Sequence, residues 1–291
     1  MRVLPKAMRE PVSLGYLLAR ASDTLADTEV LDARLRSDLL NGFESIIEGG
    51  EKTAWFNQLE NEVIPHQTHP GERVLLENMQ GIFQWLENIS PPEIAAIHTV
   101  MKHILRGQKL DIERFELQQG FRMTRDDELD DYCYLVAGCV GEFWTDVGGL
   151  TLTRFSETET AQLREWGANY GKGLQLINIL RDLPNDLNAG RCYLPNVDPS
   201  DLDTLLSESA RWRERARAYL RDGASYASSL VHRRTRAATA LPGLIGLQTL
   251  DLMEKASWEE LSQGVKISRH DVYRCAWDAF IFPSTEKCLV C

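Results

Sequence analysis

The sequence predicts an all-α protein, and three observations carry that prediction. Long amphipathic segments run through most of the chain, short clusters of helix breakers separate them, and the alternating Val/Ile/Thr pattern of strands is scarce. The breakers stand, in order, at Gly49-Gly50, from Pro65 to Gly71, at Ser90-Pro91-Pro92, at Gly148-Gly149, from Asn188 to Gly190, from Pro195 to Pro199 and at Pro242-Gly243. About eight to ten helices are expected between them. Composition does not shift along the chain, and there is no low-complexity linker or repeat. Residues 1–291 are therefore expected to form one domain whose helices surround a central cavity.

The first helical segment carries Tyr16, Arg20, Asp23 and Asp27, spaced so that they share one face. Two carboxylates at this spacing repel, and they weaken an isolated helix by a few tenths of a kcal/mol unless a cation lies between them. His66 and His69 fall in the Pro/Gly loop that follows, and His98 and His103 do not share a helical face, so no zinc set is expected. The segment YCYLVAGCVG, Tyr132 to Gly141, gathers the small residues Ala137, Gly138 and Gly141, which suit either close helix approach or room for a ligand. In GKGLQLINILRDLPNDLNAGRCYLP, Gly171 to Pro195, the residues Gln175, Asn178, Asp182 and Asp186 recur at steps of three or four, with Arg181 beside them. Pro184 is expected to bend or end this helix near the second aspartate, and after Gly190 the chain can fold Arg191 back toward the same carboxylates. The basic stretch from Arg211 to Arg236, broken by Glu214 and Asp222, reads as a solvated helix face.

A net charge of -11 disfavours a nucleic-acid binder, because a phosphate backbone is held by basic surface. No stretch approaches the roughly 20 apolar residues of a membrane-spanning helix, and no secretory signal opens the chain. A cytoplasmic protein, with a monomer favoured, is the expectation. The cysteines at 133, 139, 192, 275, 288 and 291 form no disulfide framework, and the C-x-x-C of Cys288 and Cys291 has no second pair, so free thiols are expected.

The two aspartate pairs, Asp23/Asp27 and Asp182/Asp186, are the strongest chemical signal. Magnesium prefers oxygen ligands and is usually held by a few carboxylates together with substrate phosphates. Two facing pairs can therefore grip a diphosphate through bridging metal ions, while guanidinium forks bind the phosphate oxygens.

At these residues the chain resembles the squalene/phytoene synthase family, the head-to-head prenyltransferases. The segments ARASDTLAD, YCYLVAGCVG and QLINILRDLPNDLNAGRCYLP are similar to that family's signatures and stand in the family's order. ALPGLIGLQTL from Ala240 and GVKISR from Gly264 resemble later family segments. The resemblance implies the all-α isoprenoid synthase fold, with two Asp-rich helices facing each other. It implies that Asp23, Asp27, Asp182 and Asp186, aided by Gln175 and Asn178, hold magnesium, and that Arg20, Arg181 and Arg191 neutralise the leaving diphosphate. Tyr16 and Tyr132 match tyrosines near the reacting carbons. Lys266 and Arg269 resemble a basic element that approaches NADPH, with Ser268 where some members carry a second base. No dinucleotide-binding glycine fingerprint accompanies them.

The implied reaction joins two farnesyl diphosphates to presqualene diphosphate and carries it on to squalene with NADPH, since DTLAD and RDLPND are nearer to the squalene-forming members. The alternatives are a sibling that makes presqualene diphosphate, dehydrosqualene or phytoene, and a non-catalytic member that acts in assembly or binding. A hydrocarbon product makes peripheral membrane contact compatible with the absence of an anchor. The family's upstream segment rich in Ser, Arg and Phe has no counterpart before the helix expected near Lys6, so the chain is expected to lack it.

Overall fold

A computed structural model describes residues 3–118 and 120–281. Among them every regular element is helical, and an isolated bridge between Ser156 and Leu230 is the sole extended pairing. The all-α class holds, although two of the expected breakers, Gly148-Gly149 and Pro242-Gly243, lie inside continuous helices. Internal packing divides the chain into two compact units, one spanning Lys6–Phe121 and one beginning at Arg122.

In the first unit, α1 (Lys6–Asp27) buries Met8, Leu14, Leu18, Ala21 and Leu25, a stripe at steps of three and four. Helix α2 (Ala33–Ile47) starts where the Asp32 carboxylate accepts the Arg34 N–H at 2.8 Å, which satisfies one of the orphan donors of the first turn. It buries Leu39, Leu40, Phe43 and Ile46. Phe43 meets Trp55 of α3 (Thr53–Gln58) and Phe83 edge to face, with ring centroids 5.7 and 5.3 Å apart. After a π-helical turn at Leu59–Val63 and a 3-10 turn at Ile64–His66 come α4 (Pro70–Glu77) and α5 (Met79–Asn88). Helix α6 (Pro91–Ile112) opens with Pro91 at its first position, and the Glu93 carboxylate accepts the Ser90 N–H at 3.1 Å. Its face of Ile97, Val100, Met101, Ile104, Leu105 and Ile112 packs across α1 and α2. Arg36 is a fully buried cation, held by the carbonyls of Ala26 and Leu31 and by Glu116. Those partners offset the heavy cost of an unpaired buried charge.

The second unit is built on α9 (Thr160–Asn188), which packs against α8 (Cys139–Thr151), α10 (Leu202–Ser229) and α11 (Arg233–Lys255). Helix α7 (Asp126–Cys133) leads into a π-helical turn at Tyr134–Gly138 before α8. The small residues of this region allow a very close backbone crossing. A Cβ on Gly141 would stand 1.9 Å from the Gly167 carbonyl oxygen, and one on Gly171 would stand 2.2 Å from that of Ala137. Helices α12 (Trp258–Ser262) and α13 (Arg269–Ile281) complete the described residues, with α13 packed on α11 through Cys275 and Ala279.

The basic stretch from Arg211 is largely paired at the surface: Arg211 forks on Asp126, and Arg217 contacts Asp251 and Glu254. Cys133, Cys139, Cys192 and Cys275 are buried free thiols, while Cys288 and Cys291 lie outside the described residues. No helix among the described residues is long and apolar enough to cross a membrane.

Candidate functional site

The first aspartate pair lies in the last two turns of α1. Asp23 is largely buried, and burial pushes its carboxyl up to about 6, opposed by a hydrogen bond from Gln108 and the charge of Arg20 and reinforced by Asp27. Asp27 is the exposed final residue of α1, placed at the negative end of the helix dipole, where a carboxylate is unfavourable by a few tenths of a kcal/mol or more. Just beyond, Gln67 Nε2 donates to Thr28 Oγ1 at 2.8 Å and ties the helix end to the Ile64–His66 turn. Arg20, one turn before Asp23, makes an ion pair with Glu72 of α4. Tyr16 on the same face is 59% exposed.

The second pair lies near the end of α9. Gln175 and Asp182 are partly buried and Asn178 is exposed, all on one helical face as the spacing requires. Arg181 forks on its neighbour Asp182, with Nε to Oδ1 at 2.9 Å and Nη2 to Oδ2 at 2.6 Å, and this bond raises the Arg181 pKa. The helix runs through Pro184 and ends at Asn188, two residues past Asp186. Pro184 gives up one backbone hydrogen bond, and its burial with Leu183 keeps the helix in place. Gly190 then takes φ 77, the left-handed conformation that ends a helix cheaply only at glycine, and the Arg191 N–H returns to the Asp186 carbonyl at 2.7 Å. The backbone of Arg191 thus closes back on the end of α9.

The loop after Arg191 buries Cys192, Tyr193 and Leu194. Tyr193 stacks on Tyr132, with centroids 5.1 Å apart and planes 23° from parallel. Tyr132 sits on α7, which is strapped to two helices by one residue. Asp130 accepts from Lys172 of α9 at 2.6 Å and from the Tyr219 hydroxyl of α10. Burial and the Asp130 carboxylate push the Tyr219 phenol up.

A cavity of about 280 Å³ opens in the second unit, lined by Val136, Ala137, Val140, Trp144, Tyr170, Leu174, Tyr226 and Thr239 among others. The lining is almost wholly apolar. Trp144 Nε1 and Thr239 Oγ1, both on this wall, are buried with no protein partner. The stretch Tyr132–Gly141 therefore does both things its small residues suit, crossing α9 closely and leaving an apolar space beside it.

Lys266 and Arg269 are exposed near the start of α13. Ser268 between them accepts the Asp271 N–H at 3.1 Å, as a helix cap does. No group of three or more His, Cys, Asp or Glu among the described residues is already arranged as a metal cage. A buried carboxylate whose ordinary ionisation is suppressed, with a second one turn away, nevertheless suits a hard divalent cation that brings its own waters and phosphate ligands. Gln108, Glu72, Asp130 and Tyr193 were not visible as site residues in the sequence. Their signal is tertiary, since each meets its partner across 42 or more positions or, for Tyr193, through a loop.

The squalene/phytoene synthase family model matches residues 1–271. A squalene synthase of Schizosaccharomyces pombe is 27% identical over 198 residues, covering 67% of this chain and 40% of that protein. A phytoene synthase of Arthrospira platensis is likewise 27% identical over 224 residues, covering 73% of this chain and 62% of that protein. The chain thus spans less than two thirds of the length of these relatives. Its fold matches that of TcSQS in a complex with the ligand E5700, at a TM-score of 0.76 and 20% identity, over 99% of this chain and 83% of the other.

Proposed function

Because the chain belongs to the squalene/phytoene synthase family, we propose that it is a prenyltransferase that joins two farnesyl diphosphates head to head, forming presqualene diphosphate and then squalene. The observation that carries this reading is the pair of D-x-x-x-D faces, one of them with a buried carboxylate, in a chain whose second unit also holds an apolar cavity. Asp23, Asp27, Asp182 and Asp186, with Gln175 and Asn178, are the residues that would hold magnesium. When bound, it supplies positive charge to the departing diphosphate.

The chain's own groups do the rest. Arg20 exchanges the Glu72 carboxylate for a phosphate oxygen, and Arg181 and Arg191 add positive charge where the leaving group develops its own. The Arg181 fork also fixes the orientation of Asp182. Tyr132, held flat against Tyr193, offers an aromatic face to an allylic cation, and Tyr16 serves the same chemistry from α1. The apolar cavity takes up a prenyl tail and excludes the water that would quench the cation. Lys266 and Arg269 are the cations assigned to NADPH. A hydrocarbon product leaves into lipid, which suits a monomer working from the cytoplasm at a membrane surface.

The equal identity to a phytoene synthase supports a second reading, a sibling that stops at presqualene diphosphate, dehydrosqualene or phytoene. Intact aspartate pairs weigh against a purely binding role. Gas chromatography with mass spectrometry after incubation with farnesyl diphosphate and magnesium separates these outcomes. Squalene formed only with NADPH is expected. Dehydrosqualene or presqualene alcohol regardless of NADPH would move the protein to the second reading, and no turnover with any prenyl diphosphate would remove the enzymatic one.

A further inference from the structure

Gln108 stands on α6, one turn before the helix ends, and is 8% exposed among the apolar side chains that pack this helix on α1. Its Nε2 donates to Asp23 Oδ1, while its Oε1 is buried without a protein partner. An amide in this place is costly. A leucine or methionine would fill the same volume without an orphaned carbonyl, so the core alone gives no reason for glutamine. The orientation of the amide follows from charge, because its oxygen facing a carboxylate would repel it.

We propose that Gln108 is a positioning residue for Asp23, gripping Oδ1 so that Oδ2 keeps one fixed direction for a magnesium ion bound with diphosphate. The inference rests on the reading of Asp23 as a magnesium ligand. Outer partners that hold a ligating carboxylate or imidazole typically change metal affinity by about 10–100-fold when removed. The amide nitrogen has only hydrogens to offer, so it cannot compete as a ligand. It also lends partial positive charge to a carboxylate that burial has deprived of water, and Arg20, the nearest cation in sequence, is engaged by Glu72.

The test is calorimetric titration of magnesium in the presence of inorganic pyrophosphate, on the whole chain and on Gln108→Met and Gln108→Leu. Both variants keep the packing volume and remove the donor. At least a tenfold weaker magnesium affinity is expected in whichever variant folds, with a melting temperature at or above that of the unmodified chain. In turnover assays the magnesium concentration for half-maximal rate should rise by the same factor, with the rate at saturating magnesium within about twofold. Unchanged magnesium affinity in both variants would overturn the positioning role while leaving Asp23 a ligand. Absence of magnesium binding by the unmodified chain with pyrophosphate would overturn it together with the reading it rests on.

Discussion

The two aspartate helices share a spacing and differ in how each pays for its charge. On α9, Asp182 is balanced by the fork of Arg181 and remains partly open to water. On α1, Asp23 is sunk into the unit and met by a neutral amide, while Arg20 has turned to Glu72. The difference teaches that identical D-x-x-x-D text can encode a self-neutralised site and an unneutralised one. The second has the greater need of an added cation.

Substituting each aspartate is the most severe way to break this comparison. Asp23→Asn and Asp182→Asn should each lower turnover by about 10²–10³-fold or more, since each removes charge stabilisation of the leaving group. Their effects on stability should differ in the metal-free protein. The folded Asp23 carboxyl holds its proton to about pH 6, above the ordinary 3.8, so the folded state binds more protons than the unfolded one between these values. Stability should therefore fall as pH rises from about 4 to 6, by up to roughly 3 kcal/mol at 1.36 kcal/mol per pKa unit. Asp23→Asn should abolish that slope and melt higher at pH 7. Asp182→Asn should melt the same or slightly lower, because it releases Arg181. Calorimetric melts of both variants across pH 4–7 check this, and a slope that survives Asp23→Asn would refute the buried-charge account.

Gly141 gives a test confined to the second unit. Gly141→Ala would set a methyl group against the Gly167 backbone and should cost about 1–3 kcal/mol, read by denaturant unfolding. Gly149→Ala on the same helix meets nothing within 4 Å and should be neutral or mildly stabilising. A Gly141→Ala chain as stable as the parent would show that the crossing can open.

The smallest effect concerns Arg20. Glu72→Gln removes the carboxylate that occupies it, so pyrophosphate in the presence of magnesium should bind several-fold tighter, as a competing ion pair at a half-exposed site is worth about 0.2–1 kcal/mol. Inhibition of turnover by pyrophosphate measures it, and weaker inhibition would assign Glu72 a supporting role instead.

The all-α class and the faces carrying Asp23/Asp27 and Asp182/Asp186 were legible in the sequence, because helical periodicity is local and a four-residue step fixes which side chains share a face, whereas the breakers expected at Gly148-Gly149 and Pro242-Gly243 lie inside α8 and α11. The turn at Gly190 that ends α9 was legible for the same reason, since a glycine that ends a helix acts on its immediate neighbours. The course of α9 through Pro184 was less so, because packing of a buried proline decides whether a helix stops. What only the tertiary structure decided is the environment of each carboxylate. Gln108 lies 85 positions from Asp23, Glu72 lies 52 from Arg20, and Tyr219 lies 89 from Asp130. Burial, orphaned amides and ion-pair choice depend on which helices pack together. No spacing rule within one helix carries that information.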